Sequence, residues 1–183
     1  MKTSHLLLYK NLILVSLCLL YSIPTTSCSP HSASIYVTNS CKTTLYPRLC
    51  NKALSKHAWK IKGNPKLLAM TALIATYNAT QTTSKVLREL RRASECVEVV
   101  GDAVYELHRS MKRLDQSRKG SRQFFGQMDD VQTWVSAALT DDDTCMDDFK
   151  AVGRRQVLAR GFVYTVARLT SIALTFINDY AAL

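Results

Sequence analysis

The sequence predicts an all-α protein: an up-down-up-down four-helix bundle that follows a disulfide-closed hairpin. Apolar residues recur at steps of three and four along four successive stretches of chain, which is the period of one helix face. The strict alternation of apolar and polar residues that is typical of strands is absent. Short connections make consecutive helices antiparallel neighbours, which gives the up-down-up-down order.

The first 28 residues predict a secretory signal peptide. Basic residues precede an apolar run over 12–20, and small residues follow it. A membrane anchor is the alternative, but the run is well below the roughly 20 apolar residues that span a bilayer, and we expect no later spanning run. Cleavage after Ser27 or Cys28 is expected, and we place the mature chain at residues 29–183, as a soluble, secreted single domain with no membrane partner.

The mature chain is basic. Loss of the signal peptide removes two of the 24 Lys and Arg residues, which leaves 22 basic against 14 acidic residues and a net charge of +8. A secreted cationic protein is attracted to acidic polysaccharide, although the charge also serves solubility. The secretory leader argues against a nucleic acid partner. The candidate polysaccharide-binding clusters are Arg88, Arg91 and Arg92, and Arg109, Lys112 and Arg113.

Four cysteines lie beyond Cys28: Cys41, Cys50, Cys96 and Cys145. In an oxidising compartment an even set predicts disulfides, and four cysteines allow three connectivities. We favour the local pair Cys41–Cys50 and the long-range pair Cys96–Cys145, with the other pairings still open. Since there is no Cys-x2-Cys spacing and the histidines are scattered, neither a metal site nor a cofactor is predicted.

The chain must turn back between Cys41 and Cys50 if the two are bonded. In one continuous helix their Cα atoms would lie roughly 13 Å apart, whereas a disulfide needs about 4.4–6.8 Å. Pro47 disfavours helical geometry at Tyr46 and lacks a backbone donor. The pair therefore predicts a closed hairpin, which we place at residues 34–63.

The bundle is predicted over residues 64–183. Asn64 and Pro65 suit the start of its first helix, as a capping residue followed by proline at the first helical position. Residues 118–129 carry two glycines and several charges and predict a loop that contains Phe124 and Phe125. A second turn is predicted around residues 153–155.

Each bundle helix has one predicted core stripe. The first comprises Leu68, Ala72, Ala75, Ala79, Val86 and Leu90, and the second comprises Cys96, Val100, Ala103, Leu107, Met111 and Leu114. The third comprises Val131, Val135, Ala138, Cys145, Phe149 and Val152, and the fourth comprises Phe162, Val166, Leu169, Ala173, Phe176 and Tyr180. Antiparallel packing brings Cys96 near Cys145, which supports the long-range pair; in the chain-entropy account that bridge stabilises by roughly 4 kcal/mol.

The sequence predicts a binding protein and not an enzyme. It has no Gly-x-Ser-x-Gly elbow, His-Glu-x-x-His motif or phosphate-binding glycine loop. The acidic run 141–143 lacks the glycine and terminal glutamate of a calcium loop, so we interpret it as a solvated helix face. Asn78-Ala-Thr80 is a predicted N-glycosylation site.

Several segments resemble the plant invertase and pectin methylesterase inhibitor family. They are "SCKTTLYPRLC" at 40–50, "ASECVEVVGDAVYELHRSMKRL" at 93–114, "VQTWVSAALTDDDTCMDDF" at 131–149 and "LTSIALTFIN" at 169–178. The resemblance covers nearly the whole mature chain and includes the cysteine spacing. It implies a four-helix bundle with an N-terminal helical hairpin, the two disulfides favoured above, an apoplastic location in the cell wall, and stoichiometric, non-catalytic action.

The resemblance also bears on the target. Invertase inhibitors of this family use a Pro-Lys-Phe segment in the loop between the second and third bundle helices, where this chain reads "SRQFFG" at 121–126, without proline. The segment "WVSAALTDDDTC" at 134–145 is similar to the esterase inhibitors. The expected function is therefore one-to-one occlusion of the active-site cleft of pectin methylesterase, with weak association with pectin. Inhibition of cell-wall or vacuolar acid invertase and acidic-polysaccharide binding without an enzyme target are the alternatives.

The enzyme-contact residues are also implied by the resemblance. Thr144, just before the fourth cysteine, occupies the position of a threonine that contacts the esterase, and acidic contact residues map onto Asp147, Glu98 and Asp102. Thr144 and Asp147 are three residues apart and Glu98 and Asp102 are four apart, so each pair shares a helix face. The alternatives are ordinary surface charge for the carboxylates and a hydroxyl bonded to the preceding turn for Thr144.

Overall fold

The computed structural model describes residues 30–89, 94–147, 149 and 154–183, and over these residues the protein is helical with no strand. The predicted signal peptide lies outside the described residues. The helices are α1 (Pro30–Lys42), α2 (Pro47–Leu54), a 3-10 turn (Ser55–His57), α3 (Ala58–Ile61), α4 (Pro65–Glu89), α5 (Ser94–Gln116), α6 (Phe124–Asp147) and α7 (Arg154–Ala182).

Helices α1 to α3 form the predicted N-terminal helical hairpin, so that part of the fold prediction is confirmed. A disulfide joins Cys41 to Cys50 with their Cα atoms 5.5 Å apart. Between them the chain reverses, and Pro47 is the first residue of α2, where its missing N–H costs no helical hydrogen bond. The buried hydroxyl of Thr44 donates to the Cys41 carbonyl at 2.8 Å, which closes the end of α1.

A tight left-handed turn connects the hairpin to the bundle. Lys62 and Gly63 have φ values of 49° and 72°, and glycine adopts this region without steric cost. Asn64 then caps α4, because its Oδ1 accepts the N–H of Leu67 at 3.1 Å, and Pro65 follows as the first helical residue. Helix α4 therefore starts directly after its predicted capping residue.

Helices α4 to α7 form the predicted up-down-up-down four-helix bundle. Each packs against its two neighbours, in the cyclic order α4, α5, α6, α7. The disulfide Cys96–Cys145 ties the start of α5 to the end of α6, with Cα atoms 4.5 Å apart. Both sulfurs are buried in a cluster with Leu87 and Val163. Burial of each such aliphatic side chain stabilises the fold by roughly 1.5–3 kcal/mol.

The hairpin shares its core with the bundle. Val37, Leu54 and Ile61 are at most 1% exposed and belong to the same packed cluster as Leu73 and Ile177. The hairpin packs mainly on α4 and α7. Helices this short are not stable alone, so contact with the bundle stabilises them.

The predicted core stripe of α4 is wrong in its second half. Leu68 and Ala72 are buried, but Ala75, Ala79 and Val86 are only partly buried, and Leu90 lies outside the described residues. The core face continues instead through Thr76, Thr80, Thr83, Ser84 and Leu87. Threonine can be buried there because its hydroxyl is satisfied within the helix; Thr76, for example, donates to the Ala72 carbonyl at 2.9 Å.

Two further sequence predictions are wrong. The loop predicted at 118–129 is shorter, because α6 begins at Phe124. Phe124 is 3% exposed and packs edge-to-face on Tyr180, with ring centroids 5.4 Å apart, so its burial extends the helix across Gly126. In the third turn of α7, Phe162 is 42% exposed and does not join the core. The predicted core residue Val152 lies outside the described residues.

Helix α7 contains a run that the sequence reading underestimated. Val157–Ala182 is long and apolar enough to cross a membrane by length and composition alone, contrary to our expectation that no such run follows the leader. It packs against α4 and α6 and supplies Ala173, Phe176 and Ile177 to the core, so its apolar composition is that of a core helix.

Candidate docking face on helices α5 and α6

The four predicted contact residues lie on the paired helices α5 and α6. Glu98 and Asp102 are exposed on α5, and Asp147 is exposed at the end of α6. Thr144 is half-buried next to Cys145. Because the disulfide Cys96–Cys145 fixes the register of these helices, it holds the first turn of α5 and the last turn of α6 in one place.

The hydroxyl of Thr144 is engaged with its own helix. Its Oγ1 donates to the carbonyl of Thr140 at 2.8 Å. The structure therefore shows the hydrogen bond to the preceding turn, but the residue keeps part of its surface accessible. The proton of the hydroxyl is committed, so towards a partner this oxygen can act only as a hydrogen-bond acceptor and the methyl group as a small apolar contact.

A group of carboxylates lies beside the predicted contact residues. Asp141 on α6 is half-buried, and its pKa is raised above the usual value first by burial and then by the negative charges of Asp102 and Glu106 on α5. Glu106 Oε2 is buried without a hydrogen-bond partner among the described residues. Like charges close together favour protonation, so this part of the face loses negative charge readily as the pH falls.

The other end of the face is cationic and aromatic. The guanidinium carbon of Arg109 lies 3.7 Å from the ring centroid of Trp134, and that of Arg113 lies 5.8 Å from it. Arg113 also forms a salt bridge to Asp130 at 2.7 Å, and Arg109 pairs with Glu106 at 3.7 Å. Stacking of guanidinium groups on indole fixes these side chains in place.

The sequence analysis did not predict this polar face, although the residue spacing on both helices indicates it. On α6, Asp130, Trp134 and Asp141 lie at positions that share one side of the helix, and so do Asp102, Glu106 and Arg109 on α5. The two rows interact across the helix pair, as the Arg109–Trp134 stack and the effect of Asp102 on Asp141 show. Only the pairing of α5 with α6 turns these polar positions into a single surface.

The acidic run 141–143 is not the uniform solvated face that we expected. Asp143 is exposed, but Asp142 is 0% exposed. Asp142 Oδ2 lies 2.9 Å from Thr170 Oγ1 on α7, and burial raises the pKa of this carboxyl to about 8. The alternation follows from helix geometry, since 142 continues the core row of Val135 and Ala138.

Other predicted sites are distributed over the surface. Asn78 is exposed on α4, while Thr80 of the same triplet is fully buried. Of the proposed polysaccharide clusters, Arg91 and Arg92 lie outside the described residues, and Arg109 and Arg113 are engaged with Trp134. Within the part of the chain that the structure describes, no group of three or more His, Cys, Asp or Glu side chains is arranged to hold a metal ion.

Fold and surface together define a class of protein: a small helical bundle, fixed by two disulfides, that presents a polar face on one helix pair. Comparison with known proteins gives the family. The family described as plant invertase/pectin methylesterase inhibitor matches residues 36–176. This chain belongs to that family, as its sequence motifs predicted.

Individual relatives agree with the family match. Pectinesterase inhibitor 10 of Arabidopsis thaliana is 42% identical over 160 residues; the match covers 80% of this chain and 51% of the relative, so this chain spans about half of that protein's length. Pectinesterase inhibitor 9 of the same species is 38% identical over 187 residues, with 92% and 91% of the two chains covered.

A solved structure supports the fold. The crystal structure of a pectin methylesterase inhibitor from Arabidopsis thaliana matches with a TM-score of 0.55 and 25% identity, over 79% of this chain and 96% of that chain. The family and these relatives indicate a protein of the pectin methylesterase inhibitor type, and the relatives described above are named inhibitors.

Proposed function

We propose that the protein inhibits a pectin methylesterase by binding it one-to-one through the α5–α6 face and covering its active-site cleft. The observation that carries the proposal is the position of Glu98, Asp102, Thr144 and Asp147 on one disulfide-tied helix pair. Family membership supports the target, and the relatives named pectinesterase inhibitor support the mode of action.

The physical basis would be preorganisation. Rigid helices lose little conformational entropy on docking, so more of the contact free energy is retained as affinity. A stable complex of this kind buries about 800 Å² on each partner. Two adjacent helix faces offer a surface of that order, with a half-buried threonine near its disulfide-tied end.

Inhibition of acid invertase is less well supported. That alternative depends on Phe124 and Phe125 lying in a loop that can enter a sugar pocket. Phe124 is buried against Tyr180 inside α6, and only Phe125 is exposed, at 77%. One exposed aromatic ring at the start of a helix is less suited to enter a sugar pocket than two rings in the predicted loop would be.

The first test is a titration of the oxidised protein, residues 29–183, against a pectin methylesterase and an acid invertase near pH 5. Stoichiometric loss of esterase activity alone is expected. Thr144→Trp should then weaken inhibition by at least about a hundredfold, because a large side chain would hold the two surfaces apart. Loss of invertase activity alone, or of neither activity, would overturn the proposal.

A matched control is available on the opposite side of the bundle. Thr165 on α7 is exposed and also donates to the carbonyl four residues earlier, at 2.8 Å. Thr165→Trp makes the same chemical change in the same local structure and should leave inhibition within about twofold of the unmodified protein. Equal losses for both variants would indicate a folding defect and not a docking contact.

Carboxylates on the face should make the complex pH-dependent. The pKa of Asp141 is already raised by burial, Asp102 and Glu106. If the face meets acidic groups of the enzyme, protonation in an acidic cell wall relieves repulsion and tightens binding. An equal dissociation constant at pH 5 and pH 8 would contradict this part of the proposal.

The proposal includes secretion to the apoplast. The leader at 1–28 supports entry into the secretory pathway, and Asn78 is exposed and can carry an N-glycan. Because Thr80 is fully buried, the sugar would be added before α4 folds. Mass spectrometry of the secreted protein should find an N-terminus near Ser29 and a mass decrease after deglycosylation that Asn78→Gln abolishes.

A further inference from the structure

Positive and negative charges are segregated along the chain. The first acidic residue in the sequence is Glu89, so all 14 Asp and Glu residues lie within residues 89–183. The hairpin and most of α4 therefore carry basic charge alone. The exposed cations of the hairpin and of the turn that follows it are Lys42, Arg48, Lys52, Lys56, Lys60 and Lys62.

None of these cations forms an ion pair with a residue that the structure describes. Among the described residues the ion pairs are Arg109–Glu106 and Arg113–Asp130, both on the α5–α6 face. In the hairpin, Lys42 donates to the side-chain oxygen of Asn39 at 3.0 Å, which leaves its charge in place. A surface with one sign of charge and no internal counter-ion attracts polyanions.

A groove lies where this cationic surface meets the bundle. It has a volume of about 350 Å³ and runs between the hairpin and α4. Lys56, His57 and Lys60 line one wall, and Ile74 and Asn78 are on the other. The size is within the range of small-ligand sites, about 300–1,000 Å³, and the lining combines cationic with apolar surface.

An exposed aromatic residue adjoins the groove in the sequence. Trp59 is 63% exposed, and Lys60 Nζ lies 5.1 Å from its ring centroid. Ile74 is 39% exposed. Aromatic rings combine a large apolar face with low conformational cost, so they suit the C–H faces of sugar rings, while the ammonium groups suit carboxylates.

The pKa of His57 reflects the positive potential of the groove. Partial burial lowers the pKa of its imidazole below the usual value, and the charges of Lys56 and Lys60 lower it further. Helices α1 to α3 contain no carboxylate, α4 has none before Glu89, and α7 contributes Leu169 to the lining. A bound anion would therefore raise the pKa of His57, because the hairpin has no carboxylate of its own that does so.

We propose that this hairpin groove binds a linear acidic oligosaccharide of uronate units, with carboxylates at Lys56 and Lys60, one sugar face against Ile74 and a further sugar, outside the groove, against Trp59. A uronate polymer repeats one carboxylate on each ring, so it supplies both the charge and the apolar ring faces that the groove would recognise. The site is separate from the α5–α6 face and does not depend on the enzyme target proposed above.

The test is a titration with unesterified oligogalacturonate and with its fully methyl-esterified counterpart of equal length. The acidic oligomer should bind, and the neutral one should bind at least about tenfold more weakly. Lys56→Gln combined with Lys60→Gln should weaken acidic-oligomer binding by about tenfold or more, while esterase inhibition stays unchanged. On binding, the His57 ring signals followed by NMR should report a higher pKa.

A matched control removes two cations far from the groove. Arg118 and Lys119 are exposed in the connection between α5 and α6. Arg118→Gln with Lys119→Gln changes net charge equally and should weaken binding less than about threefold. Equal losses for both double variants, or equal binding of a sulfated polymer, would overturn the site in favour of general polyanion attraction.

An N-glycan on Asn78, which lines the groove, would compete with the oligosaccharide for it. The titration is therefore repeated with the secreted glycoprotein and with Asn78→Gln. Binding by both forms supports the proposal. Binding by Asn78→Gln alone would mean that the groove belongs to the protein's own sugar, and binding by neither form would overturn the proposal outright. None of these outcomes bears on whether the protein inhibits an esterase.

Discussion

Replacement of Asp142 by Asn should change how the stability of the protein depends on pH. Asp142 is fully buried between α6 and α7, and its Oδ2 lies 2.9 Å from Thr170 Oγ1, which is itself 3.0 Å from the Val166 carbonyl. One hydroxyl has one proton, so Thr170 cannot donate to both an ionised carboxylate and the carbonyl. A neutral Asp142 can donate to Thr170, which then donates to Val166, and both contacts are satisfied.

The magnitude follows from the pKa of this carboxyl. Burial is the main cause of its rise from 3.8 to about 8; the charges of Asp141 and Asp143 add to the rise, and the Thr170 hydrogen bond opposes it. The pKa of Asp142 is higher in the folded protein than in the unfolded chain, so the protonated carboxyl stabilises the fold. This stabilisation is complete below about pH 4 and is lost as the pH rises towards 8. The loss across this window is roughly 5–6 kcal/mol at most.

Asp142→Asn has no proton to lose. Near pH 4 the variant should be less stable than the unmodified protein by about 1–3 kcal/mol, because its amide has an additional donor to satisfy. At pH 8, where the natural carboxyl is half ionised or more, the order should reverse by roughly 2–4 kcal/mol. The crossing of the two stability curves is the diagnostic feature.

Guanidinium unfolding followed by circular dichroism at pH 4, 6 and 8 measures the free energy of unfolding of both proteins. Asp129→Asn is the control, because it removes one charge from an exposed carboxylate at the other end of α6 and should run parallel to the unmodified protein. If the curves of Asp142→Asn and the unmodified protein also stay parallel, the buried carboxyl does not control the pH response and the reasoning is wrong.

Three further changes test other parts of the fold. Cys41→Ser with Cys50→Ser should cost about 3 kcal/mol or less and accelerate amide exchange in the hairpin more than in the bundle; uniform acceleration would contradict this. Thr76→Val should be neutral or stabilising by about 1 kcal/mol in thermal unfolding, because its buried hydroxyl bonds only within its own helix, whereas a loss above about 2 kcal/mol would refute that account. Arg113→Gln should cost less than about 1 kcal/mol, since its salt bridge to Asp130 is partly exposed; a double-mutant cycle checks it.

The fold could be predicted because its signals are local. Asn64 and Pro65 mark a helix start through their own chemistry, and the row from Cys96 to Leu114 marks a core face through its spacing. Burial of Phe124 was not predictable in this way. Gly126 and the neighbouring charges are typical of a loop, and only the contact with Tyr180 at the far end of the chain explains why α6 starts there.

Polar core positions were missed for a related reason. A search for apolar stripes on α4 selects Ala75 and Ala79 and passes over Thr76 and Thr80, although the threonines are the buried residues. Their hydroxyls are satisfied by carbonyls of the preceding turn, so burial leaves no donor unpaired. Asp142 was likewise assigned to a solvated face because its partner, Thr170, is distant in sequence.

The two proposed binding surfaces belong to different sides of the bundle. The hairpin packs mainly on α4 and α7, whereas the proposed enzyme-contact residues are on α5 and α6. In the cyclic order of the helices, the α4–α7 pair is opposite the α5–α6 pair, so an acidic polymer held at the hairpin groove would leave the other face accessible. The segregation of charge is consistent with this arrangement. All Asp and Glu side chains lie within residues 89–183, so the polymer meets a hairpin that does not repel it. An inhibitor held on an acidic polysaccharide in this way would present its docking face to an enzyme that approaches from the opposite side.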